Sequence, residues 1–338
     1  MSPAPTLFDA IGGTRTCRKL SKAFYARVER DPLLRPLFPG TSLQSTIEEF
    51  AAFLVQFLGG PSADSQRRQR LSLHGSHCHL QIGEPHRKAW LRHMNEALEE
   101  AGIGEPARVS LRNFFDLASA HIIDSKPGTH RLNRELARRW KAQRNVDEAV
   151  AAIRGGRPDR AVRLTGACDR AILPGLLAVM IGDGNSSLIG YVDERLPRDP
   201  ALVHERYGGK TLLHIAGVAG RLSTVELLLR LGADPNALDG GKHTPLYCTG
   251  DQCAVEESAD VVHALFRGGA LVDAHDGVTG ATPLHMAARR GNAVVARALL
   301  ECGADIHARD RRGDSPLQRA INCKKPHVVE LLRSFWRS

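Results

Sequence analysis

The stretch HCHLQIGEPHRKAWLRHM, residues 77–94, carries the features that decide how the first part of the chain folds. His77 stands in a polar, histidine-rich segment, residues 62–82, which predicts a loop with at most one helical turn. Pro85 then begins a helix, because proline suits a first turn and apolar residues follow at helical spacing. Trp90 lies in that helix, thirteen residues after His77. The predicted loop therefore carries a histidine, and the helix after it carries a tryptophan.

Further helices are predicted on both sides of this stretch. Residues 16–28, 46–58 and 109–123 each place apolar side chains three and four positions apart. Proline and glycine at 38–40 and 59–61 separate these segments. The first part of the chain is therefore expected to be all-α.

The segment AFYARVERDPLLRPLFP, residues 23–39, adds Tyr25 and Phe38 to His77 and Trp90. Together these residues resemble the haem pocket of a group II truncated haemoglobin, a bacterial-type globin. The resemblance implies a 2-on-2 globin fold and a haem b cofactor whose iron is bound by His77, five residues before Ile82. The second ring nitrogen of His77 should then donate to a backbone carbonyl. Spacing alone would leave His77 as a surface histidine.

The resemblance also assigns the ligand side of the haem. Tyr25 and Trp90 correspond to the family's two hydrogen-bond donors toward a bound ligand, and the less favoured alternative is that both are ordinary core aromatics. Phe38 matches the aromatic that packs on the haem. Thr46 and Phe50 fall on the helix facing the iron, with a one-residue alignment ambiguity. Because residues 46–58 contain no histidine, we expect an open sixth iron position.

The segment before His77 departs from the family pattern. Arginines that hold the haem propionates are replaced in LSLHGSH, residues 71–77, by His74 and Ser76. Arg70 and His74 are therefore expected as cofactor-binding residues, with Arg67 and Arg68 as further propionate partners, because guanidinium pairs well with carboxylate.

The second part of the chain repeats itself. The heads TLLH, TPLY, TPLH and SPLQ begin at Thr211, Thr244, Thr282 and Ser315, at intervals of 33, 38 and 33 residues. A 33-residue period with TPLH at the head of a helix is the signature of ankyrin repeats. The longer interval places five extra residues around Cys248–Ser258. Protein partners are expected at the hairpin tips, around residues 207–210, 239–243, 275–281 and 310–314.

These patterns predict three parts, a globin domain over residues 1–128, a basic helical linker over 129–170 and ankyrin repeats over 171–338. Four clear repeats occupy 205–338, and 171–204 reads as a degenerate repeat that caps the stack. A wider interpretation assigns residues 145–204 to one or two degenerate repeats.

Most of the net charge of +9 lies between the two parts. Residues 131–170 hold eleven Lys or Arg against five Asp or Glu, a net charge of +6. Such a patch could meet nucleic acid or an anionic membrane. A solvated linker helix is the preferred interpretation because no nucleic-acid motif accompanies the arginines.

Composition points to a cytoplasmic protein. The seven cysteines, scattered and odd in number, favour a reducing compartment, and the first residues lack the pattern of a signal peptide. The apolar run 172–181 is too short to span a bilayer. A calcium loop at 183–194, zinc at the 74–93 histidines and a redox pair of Cys248 with Cys253 are all disfavoured.

Three functions remain open at this point. The first is a globin that binds O2, NO or CO and performs O2, NO or peroxide chemistry, as an NO dioxygenase or peroxidase-like enzyme with an external reductase, while the repeats bind a protein partner. The second is a gas or redox sensor that signals through the repeats. The third is a scaffold without haem. No membrane or nucleic-acid partner is expected.

Overall fold

A computed structural model describes residues 6–61, 72–77, 80–123, 132–253 and 258–336. The chain forms two compact units. The first comprises Met1–Gly155 with Arg163–Ile172, and the second comprises Gly156–Val162 with Leu173–Ser338. Helices dominate both units, so the all-α expectation is confirmed. Within the described ranges, no helix is both long enough and apolar enough to cross a bilayer.

The first unit is a set of helices around one hydrophobic core. Every third or fourth residue of its second helix is buried, which explains why that helix packs against the third and fifth. The predicted helices 16–28, 46–58 and 109–123 are present with longer bounds. The helices are α1 Leu7–Ala10, α2 Gly13–Val28, α3 Gln44–Leu58, α4 Leu73–His77, α5 Glu84–Glu100, α6 Ala107–Ile122 and α7 Arg134–Arg154, with a 3-10 turn at Arg35–Leu37.

Helix α7 corrects the sequence interpretation of residues 131–170. It begins where the Asn133 side chain accepts a hydrogen bond from the Leu136 amide. Leu136 and Trp140 are buried in the core of the first unit, and only the opposite face, with Arg138 and Arg144, is exposed. The solvated-linker interpretation is therefore wrong for this helix, because its apolar stripe is covered by the globin part.

The second unit confirms the repeats. Thr244, Thr282 and Ser315 cap their helices through the side-chain oxygen. At Thr211 the hydroxyl instead contacts His214 Nδ1, at 2.7 Å. The antiparallel pair β1 Arg206–Tyr207 and β2 Lys210–Thr211 precedes the helices α11 Leu212–Val218, α12 Leu222–Arg230, α13 Pro245–Gln252, α14 Ser258–Arg267, α15 Pro283–Arg290, α16 Ala293–Glu301, α17 Pro316–Asn322 and α18 Pro326–Trp336.

Two helices stack before these repeats. Helices α9 Leu173–Asp183 and α10 Ser186–Arg198 pack against α11 and α12 in the way that later helix pairs pack on one another. They follow α8 Pro158–Gly166, and 3-10 turns occupy Arg170–Ile172 and Pro200–His204. The predicted insertion around 248–258 lies partly outside the described residues, since 254–257 are not described.

Candidate functional site

His77 is the last residue of the five-residue helix α4, so the predicted loop contains a helical turn at this point. Its Nδ1 lies 2.7 Å from the carbonyl oxygen of Leu73 and 3.0 Å from Oγ of Ser76. A carbonyl can only accept, so Nδ1 carries the proton and donates to Leu73. The neutral ring then has its lone pair on Nε2. This is the tautomer that an iron ligand needs.

Helix α4 is held in place by two neighbouring helices and by the hydrophobic core. It packs against α6 and α7. The Leu73 side chain lies against the hydrophobic core, and the Leu73 amide donates to Oδ1 of Asp147 on α7, at 2.8 Å. Sequence reasoning missed Asp147, because nothing local links two residues 74 positions apart.

The aromatic residues expected on the ligand side come together in one cluster. Tyr25 is buried, and its ring meets Phe38 edge-on at 5.6 Å and Phe50 at 6.1 Å between ring centroids. Phe24 connects Tyr25, at 5.0 Å, with Trp90, at 5.1 Å. Edge-to-face contacts of this kind fix ring orientation. Four of the residues expected from the resemblance therefore share one apolar environment.

Two further aromatics of this cluster were not expected. Phe24 is the neighbour of Tyr25 along the chain, and Phe115 on α6 meets Trp90 at 5.6 Å between centroids. Their signal is present in the sequence as buried positions of two helical patterns. Thr46 lies one turn before Phe50 on α3 and is half-buried. Its role at the site stays a prediction.

The expected propionate partners fall in a part of the chain that the structure does not describe. Arg67, Arg68 and Arg70 lie outside the described residues, as does the side chain of His74. The Ser76 hydroxyl, which stands where the family pattern has an arginine, donates to the Leu73 carbonyl at 2.9 Å. Ser76 and His77 thus donate to the same oxygen, the Leu73 carbonyl.

A hydrogen bond between His93 and Asp31 holds the Trp90 helix. Asp31 accepts from the amides of Leu33 and Leu34 and from Nε2 of His93, at 2.6 Å. The His93 hydrogen bond holds the pKa of Asp31 below its ordinary value. Because His93 lies one turn after Trp90, this pair ties α5 to the segment that leads to Phe38. Neither Asp31 nor His93 was expected at the site from the sequence.

A possible metal-binding group in the second unit has a structural explanation. Asp239, His243 and Cys248 bring ligand atoms within 4.8 Å of one another. Asp239 Oδ1, however, accepts from the amides of Gly241 and His243, and so shapes its hairpin. Burial raises the pKa of the Cys248 thiol to about 12. Cys248 and Cys253 are both buried, which favours packing thiols over a redox pair.

Comparison with known proteins agrees with both halves of this architecture. A bacterial-like globin family model matches residues 6–123, and ankyrin-repeat models match 208–240 and 252–335. The chain is 31% identical over 117 residues to group 2 truncated hemoglobin YjbI of Bacillus subtilis, covering 35% of this chain and 87% of that protein.

Two other relatives each match only one part of the chain. Group 1 truncated hemoglobin GlbN of Nostoc is 31% identical over 34% of this chain and 95% of its own length. Human ankyrin repeat and SOCS box protein 16 is 36% identical over 39% of this chain, which covers 28% of that protein. The chain belongs to the truncated haemoglobins, as a bacterial-like globin domain joined to ankyrin repeats.

Proposed function

We propose that the first unit is a group II truncated haemoglobin that binds haem b through Nε2 of His77. The observation that carries this proposal is the hydrogen bond from His77 Nδ1 to the Leu73 carbonyl, which leaves the metal-binding lone pair on Nε2. Haem held in this way supplies an iron centre for diatomic ligands such as O2, NO and CO. The relative named group 2 truncated hemoglobin YjbI supports the group II assignment, whereas the group 1 protein GlbN supports only the wider truncated-haemoglobin family.

On the ligand side, Tyr25 and Trp90 are the proposed donors. Both lie in the apolar aromatic cluster, where a phenol O–H and an indole N–H are groups that can donate to the outer atom of a bound ligand. Two such donors slow ligand release, and so favour redox chemistry over rapid carriage. NO dioxygenation or peroxide chemistry would then require a reductase supplied by the cell.

The ankyrin repeats are proposed to bind a protein partner and to hold the haem unit beside it. A sensor is the second candidate. The observation favouring it is that α7, which leads toward the second unit along the chain, contacts the helix of His77. Helix α7 is therefore the element proposed to carry a change at His77 along the chain toward the repeats.

An absorption spectrum tests the haem assignment. The full chain and its His77→Ala variant would be compared when oxidised, reduced and exposed to CO. We expect a Soret band that shifts with CO in the wild type and is lost or altered in the variant. A chain that stays colourless after haem is supplied would contradict the proposal and favour a scaffold without haem.

A further inference from the structure

The first step concerns a carboxylate that α7 buries beside helix α4. Asp147 is 6% exposed. Its Oδ1 accepts from the Leu73 amide at 2.8 Å and from Nε2 of Gln143 at 3.1 Å. Nε2 of His121 lies 3.4 Å from Oδ2. Burial of a carboxylate is costly, so its polar contacts are expected to hold their partners firmly.

Leu73 is the partner that matters, because its amide and its carbonyl form hydrogen bonds with different consequences. Its amide donates to Asp147, and its carbonyl accepts hydrogen bonds from His77 Nδ1 at 2.7 Å and from Oγ of Ser76 at 2.9 Å. Since α4 has only five residues, few other backbone bonds fix the position of Leu73. A shift of Leu73 therefore moves the acceptor that sets the plane and the tautomer of the histidine ring.

We propose that Asp147 is a positioning residue for His77, acting through Leu73. This inference rests on the proposed function. Asp147 lies beyond residues 6–123, the part that the globin family model matches, so this control of the iron ligand comes from the helix that follows the globin. Loss of a direct outer partner of a metal-bound histidine lowers metal affinity by about 10- to 100-fold. Asp147 acts one residue further away, so we expect a loss of about three- to tenfold.

The test uses the full haem-loaded chain with Asp147→Ala and Asp147→Asn. Two quantities are measured, the iron–histidine stretching frequency of the ferrous form by resonance Raman and the rate of haem transfer to an acceptor globin. A weaker acceptor at Leu73 makes the ring a weaker ligand. We expect Asp147→Ala to lower the frequency and to speed haem loss about three- to tenfold. Asp147→Asn, which keeps a weaker acceptor oxygen, should lie between it and the wild type.

Glu135→Ala provides the matched control. Glu135 is also a carboxylate on α7 and also accepts a backbone amide, that of Leu7 at 3.3 Å, but it contacts α1 instead of α4. Its variant should keep the wild-type frequency. Equal frequencies in Asp147→Ala and Glu135→Ala would overturn the inference. If Asp147→Ala does not fold, an unchanged frequency in Asp147→Asn would overturn it.

The same experiment separates this inference from the proposed function. An iron–histidine band that disappears in His77→Ala but does not respond to Asp147 would reject only the role of Asp147. A wild-type band that is absent, or that persists in His77→Ala, would reject His77 as the ligand and the inference with it.

Discussion

At the scale of single residues, ring contacts fix the ligand side of the proposed haem pocket. Tyr25 has edge-on neighbours in Phe24, Phe38 and Phe50. A phenylalanine at position 25 would keep these contacts, because they involve the ring and not the hydroxyl. Tyr25→Phe therefore isolates the contribution of one O–H donor.

We predict that Tyr25→Phe speeds O2 release from the ferrous haem-loaded chain by about tenfold. One hydrogen bond contributes about 1 to 1.5 kcal/mol, and about 1.4 kcal/mol corresponds to a factor of ten. Trp90→Phe should have a similar effect, and the double variant a larger one. Stopped-flow displacement of O2 by CO measures the rate. Unchanged rates in both single variants would contradict the donor assignment.

At the scale of helices and repeats, spacing predicted most elements and missed how α7 packs. Thr and Pro at repeat heads, and apolar spacing in α2, α3 and α6, are local signals. The apolar face of α7, with Leu136 and Trp140, is also a local pattern. The eleven basic residues in 131–170 nevertheless favoured the interpretation as a solvated helix. The bond from Leu73 to Asp147 spans 74 residues, so no local pattern could reveal it. The sequence thus predicted residues that lie together in one aromatic cluster, and it missed the side chains that support the helix of His77.

Two buried histidines make the repeats sensitive to acid. In each, Nδ1 accepts from a threonine amide and Nε2 donates to a carbonyl of the next hairpin, at 3.0 Å for both His214 with His243 and His285 with Asp314. Both rings are therefore neutral in the fold. Burial lowers the pKa of both below the ordinary 6.5.

We predict that the second unit loses stability as the pH falls below about 6.5. A folded-state pKa below the unfolded value means that the unfolded chain binds protons more readily. The loss therefore begins at the unfolded pKa and continues until the folded pKa is reached. Its limiting slope is about 1.4 kcal/mol per pH unit for each histidine. Urea unfolding between pH 7.5 and 5 measures it. The His214→Gln, His285→Gln double variant should show a shallower slope, and an equal slope would refute the assignment.

At the scale of the whole molecule, the chain has two compact units, and only one contains the proposed haem site. A ligand stabilises the folded state to which it binds, by about 4 kcal/mol when its concentration is a thousand times its Kd. We therefore predict that haem added to the apo chain raises the midpoint of one thermal transition and leaves a second unchanged. Calorimetry of the full chain, with and without haem, measures both midpoints.

The His77→Ala variant decides how that result is interpreted. If haem acts through His77, the variant should lose most of the upward shift while the haem-independent transition keeps its midpoint. If haem raises both midpoints in the wild type and neither midpoint in the variant, the two units do not unfold independently. Haem binding at His77 would then be coupled to the stability of the ankyrin repeats, which is the thermodynamic link that a sensor requires and a simple tether does not. The same pair of scans therefore tests both independence and the choice between the two candidate functions.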